Sequence, residues 1–456
     1  MNRLQIADNQ GNDKNPLKFV NWCKEQGYKT DEILEKIKSD LEKIANVRIN
    51  KLSLEDNPNL LVFPQDLNRY GDKIGENHII SLRGDEIATG NIMGFVGVNQ
   101  TQIDIRSRFA QTDGNDYFLH YMLQKVFAIN LFDLKHDTSA ERIFDFLFYL
   151  FPHFLRKAVA QGVFKKYRRF EHNDANIRGP IDVSRHIRQN IPFRGTVAYT
   201  TREHTYDNEL TQLVRHTIEF IRGKEQGQSI LNNDADTKTA VSQIVMATPT
   251  YNARERAKIV SQNLRPVRHP YFSAYTDLQR LCLQILRHEE LKYGHQKDQI
   301  YGILFDGAWL WEEYLNTILK DLDFKHPRNK ESRGGIRMFE KPDDENFFDK
   351  NSRRLYPDFW KENFILDAKY KRLDNGVGRE DLYQVVTYMH CMKADNGGFV
   401  YPVETESKTE QYGLAGYGGT MRLIGLQVQY QCGSYTDYVA AMKGVEGNLL
   451  EYLKQT

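Results

Sequence analysis

The chain has 456 residues, of which 40% are hydrophobic and 12% aromatic, and this composition excludes an intrinsically disordered protein. A length prior of about 150 residues per domain predicts two or three domains. The formal net charge of +1 neither requires nor excludes nucleic-acid binding, because such binding depends on where the charges lie.

Several functional classes are excluded by missing patterns. The cysteines form no C-x-x-C pair, so neither a zinc cluster nor a disulfide framework is indicated; they are Cys23, Cys282, Cys391 and Cys432. No run of 18 apolar residues and no signal-peptide pattern occurs, so we expect a cytoplasmic protein without a membrane partner. The chain also lacks a G-x-x-x-x-G-K-S/T loop, and we expect no nucleotide site of that type.

The first 115 residues show two patterns in succession. Residues 15–46 carry apolar side chains at three- and four-residue spacing, which predicts one or two amphipathic helices, so 1–46 is interpreted as an appended helical module. Short runs such as NLLVF, HIISL, MGFVGV and TQIDIRSRF follow, and Gln102–Arg106 alternates with period two. Residues 47–115 are therefore predicted to form a β-rich domain.

Residues 116–296 are predicted to be a mainly helical middle region. Its helical runs are interrupted by IRGPIDVSRHIRQNIPFRGTVAYT, where we expect a hairpin or extended excursion, and the polar stretch 226–238 is expected to be a loop. From Arg156 to Lys224 there are fourteen Lys or Arg against seven Asp or Glu. This segment is either a DNA-contacting surface or a solvated face; its candidate contacts are Lys165, Lys166, Arg168, Arg169, Arg185 and Arg188.

Residues 297–456 have the pattern of a compact α/β unit. A helix over ILFDGAWLWEEYLNTILKDL is followed by a polar insertion, two strand-like runs (RRLYPDFW and FILDAKYK), a helix around EDLYQVVTYMHCMK, and strands FVYPV and RLIGLQVQY. The predicted fold class is thus multidomain α+β, with an N-terminal β-rich domain, a helical middle region and this C-terminal α/β domain.

The two strand-like runs carry the residues with chemical potential. A hairpin with its turn at Lys361-Glu362-Asn363 would bring Asp358 beside Asp367, and Lys369 would share a strand face with Asp367. Two carboxylates and the Ala368 carbonyl are hard oxygen ligands, which suit Mg2+ and also Mn2+. A lysine beside a metal-bound water can orient the nucleophile, help deprotonate it, or offset charge on a phosphate.

The alternative reading is that these acids are ordinary turn or edge-strand residues paired with Lys369 and Lys371. Against it, Asp367 follows the apolar run Phe364-Ile365-Leu366, where an unpaired carboxylate is costly. The pattern favours catalysis.

These residues also resemble a known motif. Pro357-Asp358 followed by Asp367-Ala368-Lys369 resembles the PD-(D/E)xK nuclease superfamily motif, and Gln384 with Tyr388 resembles the Q-x-x-x-Y helix of part of that superfamily. The preceding helix supplies an acid, for which we prefer Glu312 over Glu313. The resemblance implies that the C-terminal domain is a PD-(D/E)xK nuclease domain with catalytic residues Glu312, Asp358, Asp367, Lys369, Gln384 and Tyr388.

A narrower resemblance, over roughly residues 80 to 395, is to McrC, the nuclease subunit of McrBC-type modification-dependent restriction systems. It rests on GFVGVNQTQIDIRSRF, RGPIDVSRHI, LFDGAWLWEEYL, ILDAKYK and DLYQVVTY. It implies a DNA endonuclease of phage and foreign-DNA defence that cuts double-stranded DNA together with a hexameric AAA+ GTPase, McrB. The β-domain would dock on that motor, with Arg106 and Arg108 as candidate contacts.

Two departures from the McrC pattern affect partner recognition. The chain has Arg106-Ser107-Arg108-Phe109 where the family commonly has a Pro-Lys pair, and residues 1–60 have no recognised counterpart. Two other functions stay open: a stand-alone PD-(D/E)xK DNA repair nuclease, and a catalytically silent adaptor that activates the motor.

Overall fold

The computed structural model describes residues 2–12, 15–52, 60–64, 74–110, 116–127, 140–224, 227–232, 234–293, 300–326, 335–339, 354–373, 376–416, 418–428 and 431–455. It is an α/β chain with mixed sheets that divides into two compact units. Unit 1 combines Met1–Ala128 with Gln296–Thr456, and unit 2 is Ile129–His295. In the described segments, no helix is both long and apolar enough to span a membrane.

The N-terminal part of unit 1 contains two sheets and four helices. The strands are β1 (Asn2–Ala7), β2 (Leu17–Lys18), β3 (Leu60–Phe63), β4 (Ile80–Arg83), β5 (Glu86–Thr89), β6 (Ile92–Val98) and β7 (Thr101–Arg106). The helices are α1 (Phe19–Glu25), α2 (Asp31–Glu42), α3 (Ile49–Leu52) and α4 (Tyr117–Phe127). The predicted amphipathic helices and the strands of the β-rich region are confirmed.

Unit 2 is a helical body with one long β-hairpin. Its elements are α5 (Ala140–Val159), β8 (Lys166–Asp174), α6 (Val183–Asn190), β9 (Val197–Thr205), α7 (Glu209–Arg222), α8 (Gly227–Leu231), α9 (Ala235–Ala247), α10 (Arg256–Gln262) and α11 (Ala274–Tyr293). Antiparallel β8 and β9 with the residues between them, 166–205, are called the arm.

Unit 1 resumes with eight strands and three helices. The strands are β10 (Ile300–Asp306), β11 (Ile336–Arg337), β12 (Arg354–Leu355), β13 (Phe359–Lys361), β14 (Phe364–Ala368), β15 (Asn396–Val403), β16 (Lys408–Gly413) and β17 (Thr420–Gln427). The helices are α12 (Gly307–Leu319), α13 (Arg379–Met392) and α14 (Tyr435–Lys454). The predicted polar insertion after α12 lies largely outside the described residues.

Two five-stranded mixed sheets organise unit 1. The first has the order β1-β7-β6-β10-β3, with β1 parallel to β7 and β10 parallel to β3. The second has the order β13-β14-β15-β17-β16, in which β14, β15 and β17 are parallel. Parallel strands covered on both faces need apolar side chains on both, and β15 is accordingly buried from Gly397 to Val403.

Two local predictions in unit 1 were wrong. Residues 1–46 are not only helical, because Leu4 and Ile6 alternate into the core on β1 and pair with β7. The run ILFD is the end of strand β10 and not helix, since both its neighbours are strands; α12 begins after Asp306, whose side chain caps it by accepting from the Trp309 N–H at 2.9 Å.

The middle region also differs in detail. The predicted hairpin excursion contains α6 between the two strands of the arm, and the polar stretch 226–238 includes α8 and the start of α9. Asp182 caps α6, and Asp234 caps α9, by accepting from backbone N–H groups. Asp234 lies in the polar stretch whose composition predicts a loop, although an acid followed by helix-compatible residues is also typical of a helix start.

Candidate active site

The β13–β14 hairpin brings the predicted residues together. Phe359 lies opposite Leu366, and continuing this register by one residue places Asp358 opposite Asp367. The Ala368 N–H donates to Asp358 Oδ2 at 2.8 Å, which fixes the Asp358 carboxylate at the end of β14. The predicted hairpin geometry is confirmed.

Asp367 and Lys369 share one side of the strand, as their two-residue spacing predicts. Asp367 is 1% exposed and follows three buried residues of β14. Lys369 Nζ lies 2.7 Å from Asp367 Oδ2, and it also lies 3.2 Å from Asp381 Oδ1 on α13. The ammonium is therefore held between a strand carboxylate and a helix carboxylate.

The electrostatics of the site follow from burial and crowding of charge. Burial, together with the Asp367 and Glu312 carboxylates, raises the pKa of Asp358 well above its usual range. Burial also raises the pKa of Asp367, against the effect of the Lys369 ammonium. For Lys369, burial lowers the pKa, but Asp367 and Asp381 outweigh it and the net pKa is raised. Lys369 is thus a persistent cation.

Glu312 is buried on α12 and acts on Asp358 through its charge. His326 lies between the two segments: its Nε2 is 3.8 Å from Glu312 Oε1 and 3.7 Å from Glu313 Oε1, and its Nδ1–H donates to the Asp358 carbonyl at 2.8 Å. The ring stacks on Phe359 at 4.8 Å. His326 therefore connects the acidic helix to the hairpin.

The two predicted residues of α13 are joined to each other. Gln384 is exposed, and its Nε2 donates to the Tyr388 hydroxyl at 2.7 Å. The buried Tyr388 hydroxyl in turn donates to the Tyr356 carbonyl at 3.3 Å. Burial raises the pKa of Tyr388 to about 12, with the Asp367 and Asp358 charges adding to the effect. Tyr388 is thus an uncharged hydrogen-bonding group beside the carboxylates.

Asp381 and His326 were missed from the sequence. Asp381 contacts both Lys369 and Lys371, and these lysines keep its pKa low despite burial. Its three-residue spacing to Gln384 on one helix face was a usable signal. His326 had no comparable signal, because the segment after it separates it from the hairpin in the sequence.

The donor set fits a divalent cation that is only partly held by protein. Asp367 Oδ2 is buried and receives no well-directed hydrogen bond, although the Lys369 ammonium is close. Asp358 is repelled by the Asp367 and Glu312 carboxylates, so a cation bound beside Asp358 would relieve this repulsion. No three His, Cys, Asp or Glu side chains of the described chain form a metal-holding group, so water and substrate oxygens would complete the shell.

The predicted DNA contacts lie in unit 2, on the arm or at its base. Lys166, Arg168 and Arg169 are exposed; Lys166 pairs with Glu209. Lys165 Nζ lies over the Tyr206 ring, 4.6 Å from its centroid.

The two predicted contacts on α6 differ in accessibility. Arg188 is exposed, whereas Arg185 is 9% exposed and donates to the carbonyls of His172 and Tyr199 at 2.9 and 2.6 Å. Arg185 therefore fastens α6 to the hairpin of the arm.

The predicted docking arginines differ in the same way. Arg106 is partly exposed, while the Arg108 guanidinium is largely buried in an ion pair with Asp8 and also donates to Asn91. Its carbon Cζ lies 4.8 Å from the Tyr370 ring centroid. Arg108 thus ties β1 and the segment after β7 to the strand end that carries the site.

The outer part of the arm exposes an unusual amount of apolar surface. Six aliphatic or aromatic side chains between residues 177 and 193 are 47% to 68% exposed: Ile177, Ile181, Val183, Ile187, Ile191 and Phe193. Single exposed apolar residues are ordinary, but six exposed apolar side chains within seventeen residues are typical of an interaction surface. We call this set the apolar tip.

Comparisons with known proteins give one family and two related structures. The family model described as "McrBC 5-methylcytosine restriction system component" matches residues 87–402. A comparison with curated proteins finds no match.

Both structures come from Thermococcus gammatolerans. A refined half-complex from the tetradecameric assembly of McrB AAA+ hexamers with bound McrC is 14% identical and covers 97% of this chain and 100% of that chain, with a TM-score of 0.46. A cryo-EM structure of the McrBC complex is 14% identical and covers 71% of this chain and 89% of that chain, with a TM-score of 0.31. The family assignment rests on the family model.

Proposed function

This chain belongs to the McrBC 5-methylcytosine restriction system component family, and from that membership we propose that it is a Mg2+-dependent DNA endonuclease subunit of the McrC type. It would act in defence against foreign DNA, with a PD-(D/E)xK site. The observation that carries the proposal is the hairpin that sets Asp358 and Asp367 side by side with Lys369 2.7 Å from Asp367.

Each site residue has a role that follows from its surroundings. Lys369, held as a cation by Asp367 and Asp381, orients the attacking water and stabilises charge on the scissile phosphate. The water oxygen bonds to phosphorus as the ester bond to the leaving oxygen breaks; the attacking water gives up one proton to solvent, and the leaving oxygen takes one from solvent.

Asp358, Asp367 and the Ala368 carbonyl are the proposed Mg2+ ligands. When bound there, the ion would polarise the phosphate and lower the pKa of a coordinated water. The Glu312 carboxylate adds negative charge beside Asp358. His326 holds the hairpin backbone by donating to the Asp358 carbonyl. Tyr388 and Gln384, hydrogen-bonded to each other, border the site.

We place the contact with an AAA+ GTPase of the McrB type on the apolar tip of the arm. The tip offers exposed Ile191 and Phe193, which are costly to leave in water and suited to burial in a protein interface. Arg108 is engaged by Asp8 within the chain, so of the two predicted docking arginines only Arg106 is accessible. One of the T. gammatolerans structures is of McrB AAA+ hexamers with bound McrC.

The test of catalysis is plasmid cleavage by the full chain with its AAA+ partner, GTP and Mg2+. Asp367→Asn is expected to lower cleavage at least about 1000-fold, since it removes a ligand and the partner of Lys369. The exposed Glu406→Gln is the matched control and should cleave as the unchanged chain does. Partner binding should be the same in both variants.

Two outcomes would redirect the proposal. Wild-type cleavage by Asp367→Asn would refute the site and favour a motor-activating adaptor whose nuclease fold is silent. Rapid double-strand cleavage by the chain alone, without GTP or partner, would favour a stand-alone repair nuclease. Cleavage would then not depend on a GTPase, although the chain has no energy-coupling motif of its own.

A further inference from the structure

Unit 2 contains a cavity of about 330 Å³ at the base of the arm. Three elements bound it: the start of β8, the first half of α7, and the segment from Thr250 through α10. Its volume is at the small end of the range for small-molecule sites, so it suits one ligand of nucleotide size. None of the proposed catalytic residues belongs to unit 2, and the cavity is therefore no part of the active site.

The interior of the cavity has an unsatisfied polar side chain. His216 lines it, is 1% exposed, and has no hydrogen-bonding partner on either ring nitrogen among the residues that the structure describes. Its neighbours on the same face of α7 are satisfied: the Gln212 amide donates to Asp207 Oδ1 at 2.6 Å and to Thr250 Oγ1 at 3.3 Å. Buried polar groups without partners are uncommon and point to a missing ligand or water.

The protonation state of His216 limits what it can recognise. Burial, with the Arg256 and Arg215 charges, lowers its pKa to about 4, although Glu255 opposes the effect. The ring is therefore neutral, with one N–H donor and one acceptor nitrogen. Either ring nitrogen can form one hydrogen bond to an uncharged donor or acceptor atom, such as those along the edge of a nucleobase. The ring packs against Tyr251 at 4.7 Å.

The mouth of the cavity has a different character. Its described lining residues include four cations and two acids; they are Lys166, Arg168, Arg169, Lys258, Glu209 and Glu255. Lys166 pairs with Glu209 and Lys258 with Glu255, which leaves two arginines in excess. Arg169 also lies 3.7 Å from Asp182, so Arg168 is the less compensated of the two. Exposed arginines at a rim are suited to a phosphate.

We propose that this cavity binds one nucleotide, with its phosphate at Arg168 and Arg169 and its base toward His216. The nucleotide is either free or an unpaired unit of a DNA strand, since both present the same chemistry. An extruded nucleotide would need the arginines at the mouth for its phosphate and the polar interior of the cavity for its base. The site would give the chain contact with DNA or nucleotide through residues other than those proposed for cleavage.

The test measures binding of the four deoxynucleoside monophosphates to the full chain by calorimetry. At least one should bind at least about 10-fold more tightly than its nucleoside and than inorganic phosphate. Arg168→Ala with Arg169→Ala should weaken the monophosphate at least about 10-fold and leave the nucleoside unchanged. Arg178→Ala with Arg194→Ala, two exposed arginines of the arm outside the cavity, is the matched control.

The His216 imidazole resonance gives an independent readout in the folded chain. It should shift on adding the nucleoside or the monophosphate, and not on adding phosphate alone. A single-stranded oligonucleotide that competes with the monophosphate identifies a strand nucleotide as the occupant, and lack of competition identifies a free one. No saturable binding at millimolar monophosphate, or binding unaffected by the rim arginines with no shift at His216, overturns the proposal. Cleavage activity does not enter either readout.

Discussion

Lowering the pH should reduce the free energy of unfolding of unit 2 through protonation of His216. The size of the loss follows from the pKa of His216, which burial lowers. Its folded pKa is about 4 against 6.5 for a free side chain, so the unfolded chain binds the extra proton. Stability is therefore unaffected well above pH 6.5 and is lost as pH falls from about 6.5 to 4. The loss is about 2 kcal/mol at pH 5 and about 3 kcal/mol once both states are protonated.

The assay is amide hydrogen exchange of α7 between pH 5 and 8, corrected for intrinsic rates. Other groups also titrate in this range, so the quantity of interest is the difference between the unchanged chain and His216→Phe, which keeps a ring against Tyr251. The difference in opening free energy should change by about 2 kcal/mol between pH 8 and pH 5. A pH-independent difference would refute the reasoning, and so would an imidazole resonance that titrates near pH 6.5.

Three further outcomes are expected. Ile191→Ser with Phe193→Ser should weaken binding to the AAA+ partner at least about 10-fold in a binding assay, because two exposed apolar side chains no longer become buried. Arg108→Ala should lower the free energy of unfolding of unit 1 by about 3–5 kcal/mol, since the Asp8 carboxylate stays buried without its partner. Gly94→Ala should cost about 2 kcal/mol or more in urea unfolding, because Gly94 has φ +121° and an added Cβ would lie 2.1 Å from a β10 carbonyl oxygen.

The partner-binding prediction has a matched control and a competing variant. Met246→Ser, at an 80% exposed position on α9, should leave partner affinity unchanged. Arg106→Ala removes the accessible docking candidate; if it weakens the partner more than the double serine variant does, the contact lies on the β-rich region and not on the apolar tip. Ordinary stability in Arg108→Ala would show that the pair with Asp8 contributes little.

The core of the candidate site was predictable because its geometry is local. Asp358 and Asp367 are joined by a short turn, and the side-chain period of two sets Asp367 and Lys369 on one face. Asp381 and His326 were not predictable to the same degree, since they reach the site from other elements and their contacts depend on packing. Whether these residues cleave DNA stays a prediction, as do the bounds of the four predicted domains.

The errors in the fold have a common physical origin. The sequence predicts helix for the end of β10 because its apolar residues continue into those of α12. It is a strand because it pairs with other strands, and its partner β6 lies more than 200 residues earlier in the chain. Strand β1 is six residues long with two buried apolar side chains, too few for a distinct pattern. In both cases pairing with a strand that is distant in sequence determines the conformation, and the local pattern of apolar residues does not reveal that partner.

The interruption of unit 1 by unit 2 has a consequence for how the chain is made and dissected. The sheet order β1-β7-β6-β10-β3 places β10 between β6 and β3, so β3 has no neighbour in this sheet until residues 300–306 leave the ribosome. Unit 2 is continuous in sequence and can fold before β10 is synthesised. Until then the first sheet of unit 1 lacks β10, and the edge of β6 that pairs with it has no partner strand. For the same reason a fragment beginning at residue 297 would carry β10 without either of its partners. Excising 129–295 and closing the gap with a flexible linker keeps every strand of that sheet, and is the cut that the topology favours.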